Sequence, residues 1–318
     1  MPPPAPSVSG LRRALIIGAS GLVGAHLREA LLPTWDVIGT WSSHPLPGLV
    51  RLDLREPAEI LRLAKEIRPQ VIFCPAAEAG VERCEADPKA TRLVNVDGIR
   101  HVREACQSVR AKIVHFSTDY VFDGEAAPYS EESLCCPVNE YGRQKVESEL
   151  LVRLHPDHLI FRVSGVYGWE PSRKNHVIRI VDRLRAGQRM PVWVDQVLTP
   201  TWAKNLADVA RELVECDSTG TFHLCGGQPL SRLAFAQAVC RVFELDPALL
   251  DPVEGVAPLR ESVIRPRNVG LRIDKIRAVI KTRLLCPEEG LAGMKANDTM
   301  VRIVHESPSS EKPGDGRF

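Results

Sequence analysis

A doubly wound α/β fold, with a parallel sheet covered by helices on both faces, is the class the sequence predicts, on three observations. Apolar runs of strand length alternate with longer stretches of helical spacing through the first half of the chain. Those runs lack the apolar–polar alternation of a half-exposed strand, as strands covered on both faces do. A glycine-rich turn joins the first run to the helix that follows it.

In order, Ala14–Ile17 is a short apolar run ending at Gly18, and Gly21–Leu32 continues with helical spacing. Asp36–Thr40 makes a second strand and Leu49–Leu52 a third. The periodicity predicts a helix over Glu56–Ile67, a strand at Val71–Cys74, a long helix over Pro88–Ser108 and a strand at Lys112–Phe116. Glu140–Leu154 is helical again, and His158–Val163 returns to strand. Beyond Ser164 the alternation weakens. Arg173–Arg185, Trp202–Glu215 and the amphipathic Ser231–Phe243 read as helices, with short strands at Val192–Trp193 and Thr221–Leu224.

The expected organisation is a flexible tail over 1–10 and a first domain over 11–165, completed by segments within 194–224. A smaller lobe over 166–285 lies at the sheet's carboxyl edge. A flexible tail covers 286–318, because its final stretch, Ser307–Gly316, lacks the apolar content to pack.

Composition narrows the function classes. A chain of 318 residues, 44% of them hydrophobic, supports one large domain or two intimate ones with a real core. A formal net charge of +1 offers no electrostatic case for nucleic acid or an anionic membrane. No apolar run approaches the roughly 18 residues that span a bilayer. The start, Met1 to Pro6, lacks the basic and apolar segments of an export signal, so a cytoplasmic protein is expected. Nine cysteines without a CxxC pair fit reduced thiols, and Cys135–Cys136 is too strained as a vicinal pair for a disulfide. No His/Cys spacing suggests zinc, and no metal is expected.

Gly18-Ala19-Ser20-Gly21-Leu22-Val23-Gly24 stands between the first strand and the first helix. Glycines there let the chain turn sharply and let a pyrophosphate reach the backbone, while the helix start offers free N–H groups and its positive dipole end. The GxxGxxG spacing differs from the GxGxxG dinucleotide fingerprint, but its place between strand and helix points to nucleotide binding. The end of the second strand, Thr40-Trp41-Ser42-Ser43-His44, carries no carboxylate to repel a 2′-phosphate. Its hydroxyls, Thr40, Ser42 and Ser43, favour NADPH over NADH, although no arginine stands at this point. Asp53 and Leu54, after the third strand, are candidates to meet the adenine.

Tyr141 and Lys145 are four apart, hence on one face of the predicted helix. A free tyrosine with pKa near 10 is a poor proton donor and acceptor at neutral pH, and a neighbouring ammonium tunes it toward working pH. YxxxK alone is common. It gains meaning from Phe116-Ser117-Thr118-Asp119-Tyr120-Val121-Phe122-Asp123-Gly124, at the carboxyl end of a central strand, where open α/β sheets place ligands. Thr118 can hydrogen-bond a substrate carbonyl and the alkoxide that develops from it.

The ordered set GASGLVG, STDYVFDG, PYSEE, CPVNEYGRQK, FRVSGVYG, DQVLTPT and RPRNVGL resembles the dTDP-4-dehydrorhamnose reductases, extended short-chain dehydrogenase/reductases, over about Leu11 to Ile280. The resemblance implies a Rossmann-type doubly wound sheet with a smaller C-terminal substrate lobe. It also implies hydride transfer from NAD(P)H to the C4 ketone of a dTDP-linked 4-keto-6-deoxy-hexose. It makes Tyr141 the proton donor, Lys145 its electrostatic partner and Thr118 the group that polarises the carbonyl. Ala76 and Ala77 would flank the cofactor, and Asn95 matches a helix asparagine of these enzymes. Asp119 and Tyr120 would lie beside the sugar, Gln196 and Pro200 would close its pocket, and Arg265 would approach a phosphate. Some members use magnesium at a dimer interface; no ligand set for it stands out.

The chain departs from the rhamnose reductases at Gly165, where they usually carry a tryptophan that can stack on the sugar. The departure suggests a different or bulkier sugar. The same resemblance extends to the regulatory β subunit of methionine adenosyltransferase, a binding module, so a homodimer or a regulatory partner protein is compatible with the chain. A sugar-nucleotide epimerase or dehydratase would need further acid/base groups. Glu78 and Glu82 stand near the right strand end, but read first as solvated loop carboxylates. Trp193 and Trp202 read as core or lobe-interface aromatics.

Overall fold

The computed structural model describes residues 10–170, 172–254 and 263–297. Strand β1 (Arg12–Ile16) buries Ala14, Leu15 and Ile16 completely and runs into the glycine turn before α1 (Leu22–Leu31). β2 (Trp35–Trp41) pairs with it in parallel, and β3 (Val50–Arg51) extends that edge. α2 (Pro57–Ile67) starts with Pro57, whose missing N–H is no loss at a helix start, and ends at left-handed Arg68. β4 (Val71–Cys74), buried at every position, lies on the other side of β1. α3 (Val81–Ala86) is followed by α4 (Pro88–Arg92), capped by the Asp87 side chain, which accepts from Ala90 N at 3.0 Å.

The helix expected over Pro88–Ser108 is not regular. A π-turn at Leu93–Asp97 widens it before α5 (Gly98–Val109), and Asn95 sits on that turn. β5 (Lys112–Thr118) and β6 (His158–Val163) flank α6 (Glu140–Arg153), which Asn139 caps by accepting from Gly142 N at 2.9 Å.

The small lobe is built from β7 (Val166–Tyr167), α7 (His176–Arg185), β8 (Met190–Trp193), β9 (Val197–Leu198) and β10 (Thr201–Trp202). The chain then returns to the sheet with α8 (Ala203–Glu215) and β11 (Gly220–His223). It leaves again through β12 (Leu230–Ser231), α9 (Arg232–Phe243), β13 (Leu250–Val253), α10 (Asp274–Arg277) and α11 (Pro287–Ala296).

One seven-stranded sheet results, ordered β11-β6-β5-β4-β1-β2-β3, with every pair parallel. α1 packs on α8 over one face and α2 on α5 over the other, each above its own apolar core. The order reverses between β1 and β4, and the crevice outside the carboxyl ends there is where such sheets take ligands.

The tail expected to be flexible from residue 286 is ordered through its first turns. Glu289 accepts from Cys286 N at 2.9 Å to start α11, and Leu291 and Met294 are fully buried, each contributing roughly 1.5–3 kcal/mol. Two glycines permit the contact: a Cβ at Gly290 would stand 2.2 Å from the Tyr167 hydroxyl, and one at Gly293 2.6 Å from the Trp202 ring. Composition alone obscured this helix, because its burial depends on aromatic residues more than eighty positions away. The expected tails at 1–9 and 298–318 lie outside the described residues.

Candidate active site

The glycine turn is shaped by packing at two positions and left bare at a third. Gly18 lies at φ +97°, in the left-handed region, and a Cβ there would stand 2.9 Å from that of Ala76. Its N–H donates to Thr40 Oγ1 at 3.2 Å, and Ala19 N donates to Thr40 O at 2.7 Å. A Cβ at Gly24 would meet Gly18 O at 2.1 Å, so the helix and turn touch there. Gly21 differs: its φ is −86° and its Cβ would meet nothing closer than 3.5 Å. Neither backbone nor packing requires glycine at that point, and its bare backbone faces a groove. α1 begins at Gly21 with no side-chain cap and no acidic residue in its first turn, which leaves its positive end open to an anion. These features fit the pyrophosphate of a dinucleotide.

The groove, about 550 Å³, runs from Gly18, Ser20 and Gly21 past Ala76 and Ala77 to Ser42, Ser43, Asp53 and Leu54. Sequence reasoning missed Arg55, which also lines it. Arg55 donates to Asp53 through its main-chain N at 2.9 Å, Nε at 2.9 Å and Nη2 at 2.5 Å, and holds that carboxyl below its ordinary range. His44, whose Nδ1 lies 2.8 Å from Ser43 Oγ, lines the groove as well.

A second cavity, about 380 Å³, meets the groove at Pro75 and Ala77. Thr118, Asp119, Tyr120, Tyr141, Gly165 and Gln196 line it. Parallel pairing puts Thr118 at the carboxyl end of β5, and the Asn139 cap sets the first turn of α6 that carries Tyr141. Gly142 lets this turn close on the strand, since a Cβ there would stand 2.2 Å from Tyr120 O. Asp119 accepts from Thr118 Oγ1 at 3.0 Å and from Ser164 Oγ at 2.5 Å. Burial nevertheless raises its carboxyl to about 6. Burial, and then the Asp119 charge, raise the Tyr141 phenol, with the Thr118 hydroxyl opposing them. The phenol therefore stands protonated, as a proton donor must.

Lys145, four residues on from Tyr141 along α6, turns its ammonium toward β5. It is buried, donates to Phe116 O at 2.6 Å and lies 3.2 Å from His115 Nε2, and burial lowers it to about 8.

Several other expected contacts are indirect. Thr40 is fully buried and braces the turn rather than lining the groove. Leu22 faces Gly168, and Val23 lines the second cavity rather than the groove. Asn95 holds the main chain of Glu78 from both sides, accepting from its N at 2.9 Å and donating to its O at 2.9 Å. Pro200 is buried behind Gly165 and packs on Gly226. Arg265 pairs with Glu82 and stacks over Trp193 at 5.4 Å. Glu78 is likewise paired, with Arg83 at 3.2 Å, so both carboxylates weighed as acid/base groups are held by arginines.

Gly165 does not simply enlarge the pocket. It lies at φ +50°, and a Cβ would stand 2.2 Å from Leu198 Cδ1. Leu198 fills the place that a larger residue at 165 would use. Sequence reasoning also missed Arg232, the first residue of α9, which lines the cavity. It bonds Gln196 Oε1, and Gln196 Nε2 donates to Tyr120 Oη at 3.3 Å, which ties the small lobe to the sheet. Among the described residues no group of three or more His, Cys, Asp or Glu side chains is placed to hold a metal. No described helix is long and apolar enough to cross a membrane.

The parallel sheet and its glycine turn place the fold among the extended short-chain dehydrogenase/reductases. A family model described as the RmlD substrate binding domain matches residues 12–299, and the chain belongs to that family. It is 30% identical to the probable low-salt glycan biosynthesis reductase Agl14 of Haloferax volcanii, over 89% of this chain and 97% of that protein. It is 31% identical to methionine adenosyltransferase 2 subunit beta of Xenopus tropicalis, over 84% of this chain and 82% of that one. Among solved structures it is similar to dTDP-4-dehydrorhamnose reductase from Bacillus anthracis in complex with NADP. That match has a TM-score of 0.81 and 26% identity, over 90% of this chain and 99% of that one.

Proposed function

We propose that this protein is an NADPH- or NADH-dependent reductase of a nucleotide-linked 4-keto-6-deoxy sugar. The observation that supports this reading is that the cavity lined by Tyr141 and Thr118 shares Pro75 and Ala77 with the groove below the glycine turn. A nicotinamide dinucleotide in that groove supplies the hydride. Gly18, Ser20 and Gly21 hold its pyrophosphate, Ala76 and Ala77 lie along it, and Ser42 and Ser43 meet the adenosine ribose. Their lack of charge, with Arg55 and His44 nearby, favours a 2′-phosphate.

The Thr118 hydroxyl orients the ketone, and Tyr141 gives its proton to the oxygen as alkoxide character develops. Lys145 stabilises the phenolate left behind. Gln196, Tyr120 and Arg232 border the sugar, and Arg265 stands toward its phosphates.

Absorbance at 340 nm, followed with each coenzyme against dTDP-4-keto-6-deoxy sugars, tests the proposal. Tyr141→Phe should lower kcat by about 10²–10⁴ while leaving coenzyme affinity within a few-fold. A folded protein that binds NADPH by calorimetry yet oxidises none of it with these sugars would overturn it. The similarity to methionine adenosyltransferase 2 subunit beta supports a second reading, a nucleotide-binding regulatory subunit. That reading expects coenzyme binding without turnover and a stable complex with a catalytic partner.

A further inference from the structure

Alternation along β5 turns Phe116 and Thr118 to one face of the sheet and His115 and Ser117 to the other, against α6. One half of this seam is saturated. Ser117 Oγ donates to Glu149 Oε1 at 2.5 Å, and Glu149 pairs with Arg162 at 2.9 Å, both side chains 1% exposed. The other half is not. His115 is fully buried, with Nε2 2.9 Å from Ser148 Oγ and 3.2 Å from Lys145 Nζ. Its Nδ1 makes no hydrogen bond among the described residues.

Proton inventory decides between the two partners of Nε2. Ser148 Oγ stands 2.8 Å from Lys145 O, and with its one hydroxyl proton directed there it can only accept toward the imidazole. The Lys145 ammonium can only donate. One nitrogen cannot carry a proton for Ser148 and a lone pair for Lys145. Burial, and the Lys145 charge after it, hold the imidazole neutral, so it carries a single proton. A bond from a charged donor is roughly twice as strong as a neutral one, which favours a bare Nε2 facing the ammonium, at the cost of a buried Nδ1–H with no acceptor among the described residues.

We propose that His115 is a positioning residue for the Tyr141–Lys145 pair: in its Nδ1–H tautomer, Nε2 accepts from the Lys145 ammonium and, with the Phe116 carbonyl, fixes where that cation stands. The proposal rests on the reading of Tyr141 and Lys145 as the working pair. The other ionisable groups facing the ammonium are Cys74 from β4, Cys84 from α3 and Glu149 from its own helix. None of them is within the hydrogen-bond distances that Phe116 O and His115 Nε2 occupy. Loss of the imidazole acceptor therefore removes one of two bonds that favour the charged lysine.

Two measurements on the full chain test this. In the unaltered protein, ¹⁵N spectra of labelled histidine should show His115 with a non-protonated Nε2 and a protonated Nδ1, unchanged from pH 5 to 7. A protonated Nε2 would overturn the proposal, and this measurement needs no variant to fold. Second, the Lys145 ¹³Cε resonance should titrate about one unit lower in His115→Leu than in the unaltered protein. His115→Gln, whose amide oxygen can replace Nε2 as acceptor, should restore the midpoint. The same midpoint in folded His115→Leu would sink the idea. Both readouts are independent of turnover, so absence of reductase activity would count against the proposed function and leave the role of His115 to be judged by the spectra. With turnover, the alkaline limb of kcat should move with the lysine midpoint.

Discussion

The groove and the cavity it joins are built from different materials. The groove is lined by small residues around the glycine turn, Gly18, Gly21, Ala76 and Ala77, and by larger side chains beyond it, among them Asp53, Arg55, Glu78 and Arg83. The cavity is mostly side chain, with Asp119, Tyr141, Gln196 and Arg232 brought in from four separate segments. At Gly18 an added Cβ already meets that of Ala76 at 2.9 Å, so the groove admits no side chain at its glycine turn. A cavity of buried polar groups is sensitive to each of them, and through burial it controls their protonation.

The sharpest way to break this contrast is at Gly18. Gly18→Val puts a branched side chain at φ +97° and onto Ala76, and should cost about 3–5 kcal/mol of stability and at least a hundredfold in coenzyme affinity. Denaturant titration and calorimetry would read both; near-normal coenzyme binding would show that the glycine turn is side-chain tolerant after all.

Asp119→Asn comes next. The carboxyl is raised from 3.8 to about 6, so ionising it disfavours the folded state. The penalty is absent below about pH 4, grows through pH 6 and then stays at about 3 kcal/mol. The asparagine variant should therefore gain stability relative to the unaltered protein between pH 4.5 and 7.5, by parallel urea titrations. A constant difference would mean that Ser164 and Thr118 already offset the burial.

Arg232→Met should raise KM for the sugar nucleotide about tenfold and leave the NADPH Kd unchanged, because it acts on the cavity alone. Equal effects on both ligands would merge the two sites. The smallest effect belongs to the rim. Ser43→Asp should weaken NADPH about fivefold through repulsion of the 2′-phosphate, with NADH unaffected.

Legibility followed the same division. The strands at β4 and β6 could be read to the residue, β4 because burial at every position leaves an uninterrupted apolar run and β6 from the apolar Leu159–Phe161 at its centre. The glycine turn and Tyr141 were legible because each depends on residues a few positions apart. Arg232 was hidden: one arginine directly after a helix cap carries no local signal, and only the second passage of the chain into the small lobe brings it to Gln196 and Tyr120. Arg55 was hidden differently, standing two residues beyond the Asp53 that drew attention. The partners of Lys145 could not be read either. Spacing on α6 puts the lysine on the face of Tyr141, but which strand atoms receive its ammonium is set by the register of β5 against the helix. The π-turn at Leu93–Asp97 left no trace in the periodicity, although it is what aims Asn95 at Glu78.

The C-terminal helix α11 imposes an order on synthesis. Trp169 Nε1 donates to Met294 O at 2.7 Å, and the Trp202 ring lies against Gly293, so the last described helix completes the cover of these two indoles. While the chain is growing, six of the seven sheet strands have emerged by Val163, but the small lobe lacks its closing piece until about residue 296 has left the ribosome. The nascent protein thus carries a finished nucleotide half beside an open aromatic half, and a premature stop before Pro287 would release a chain with that aromatic surface exposed to chaperones and proteases.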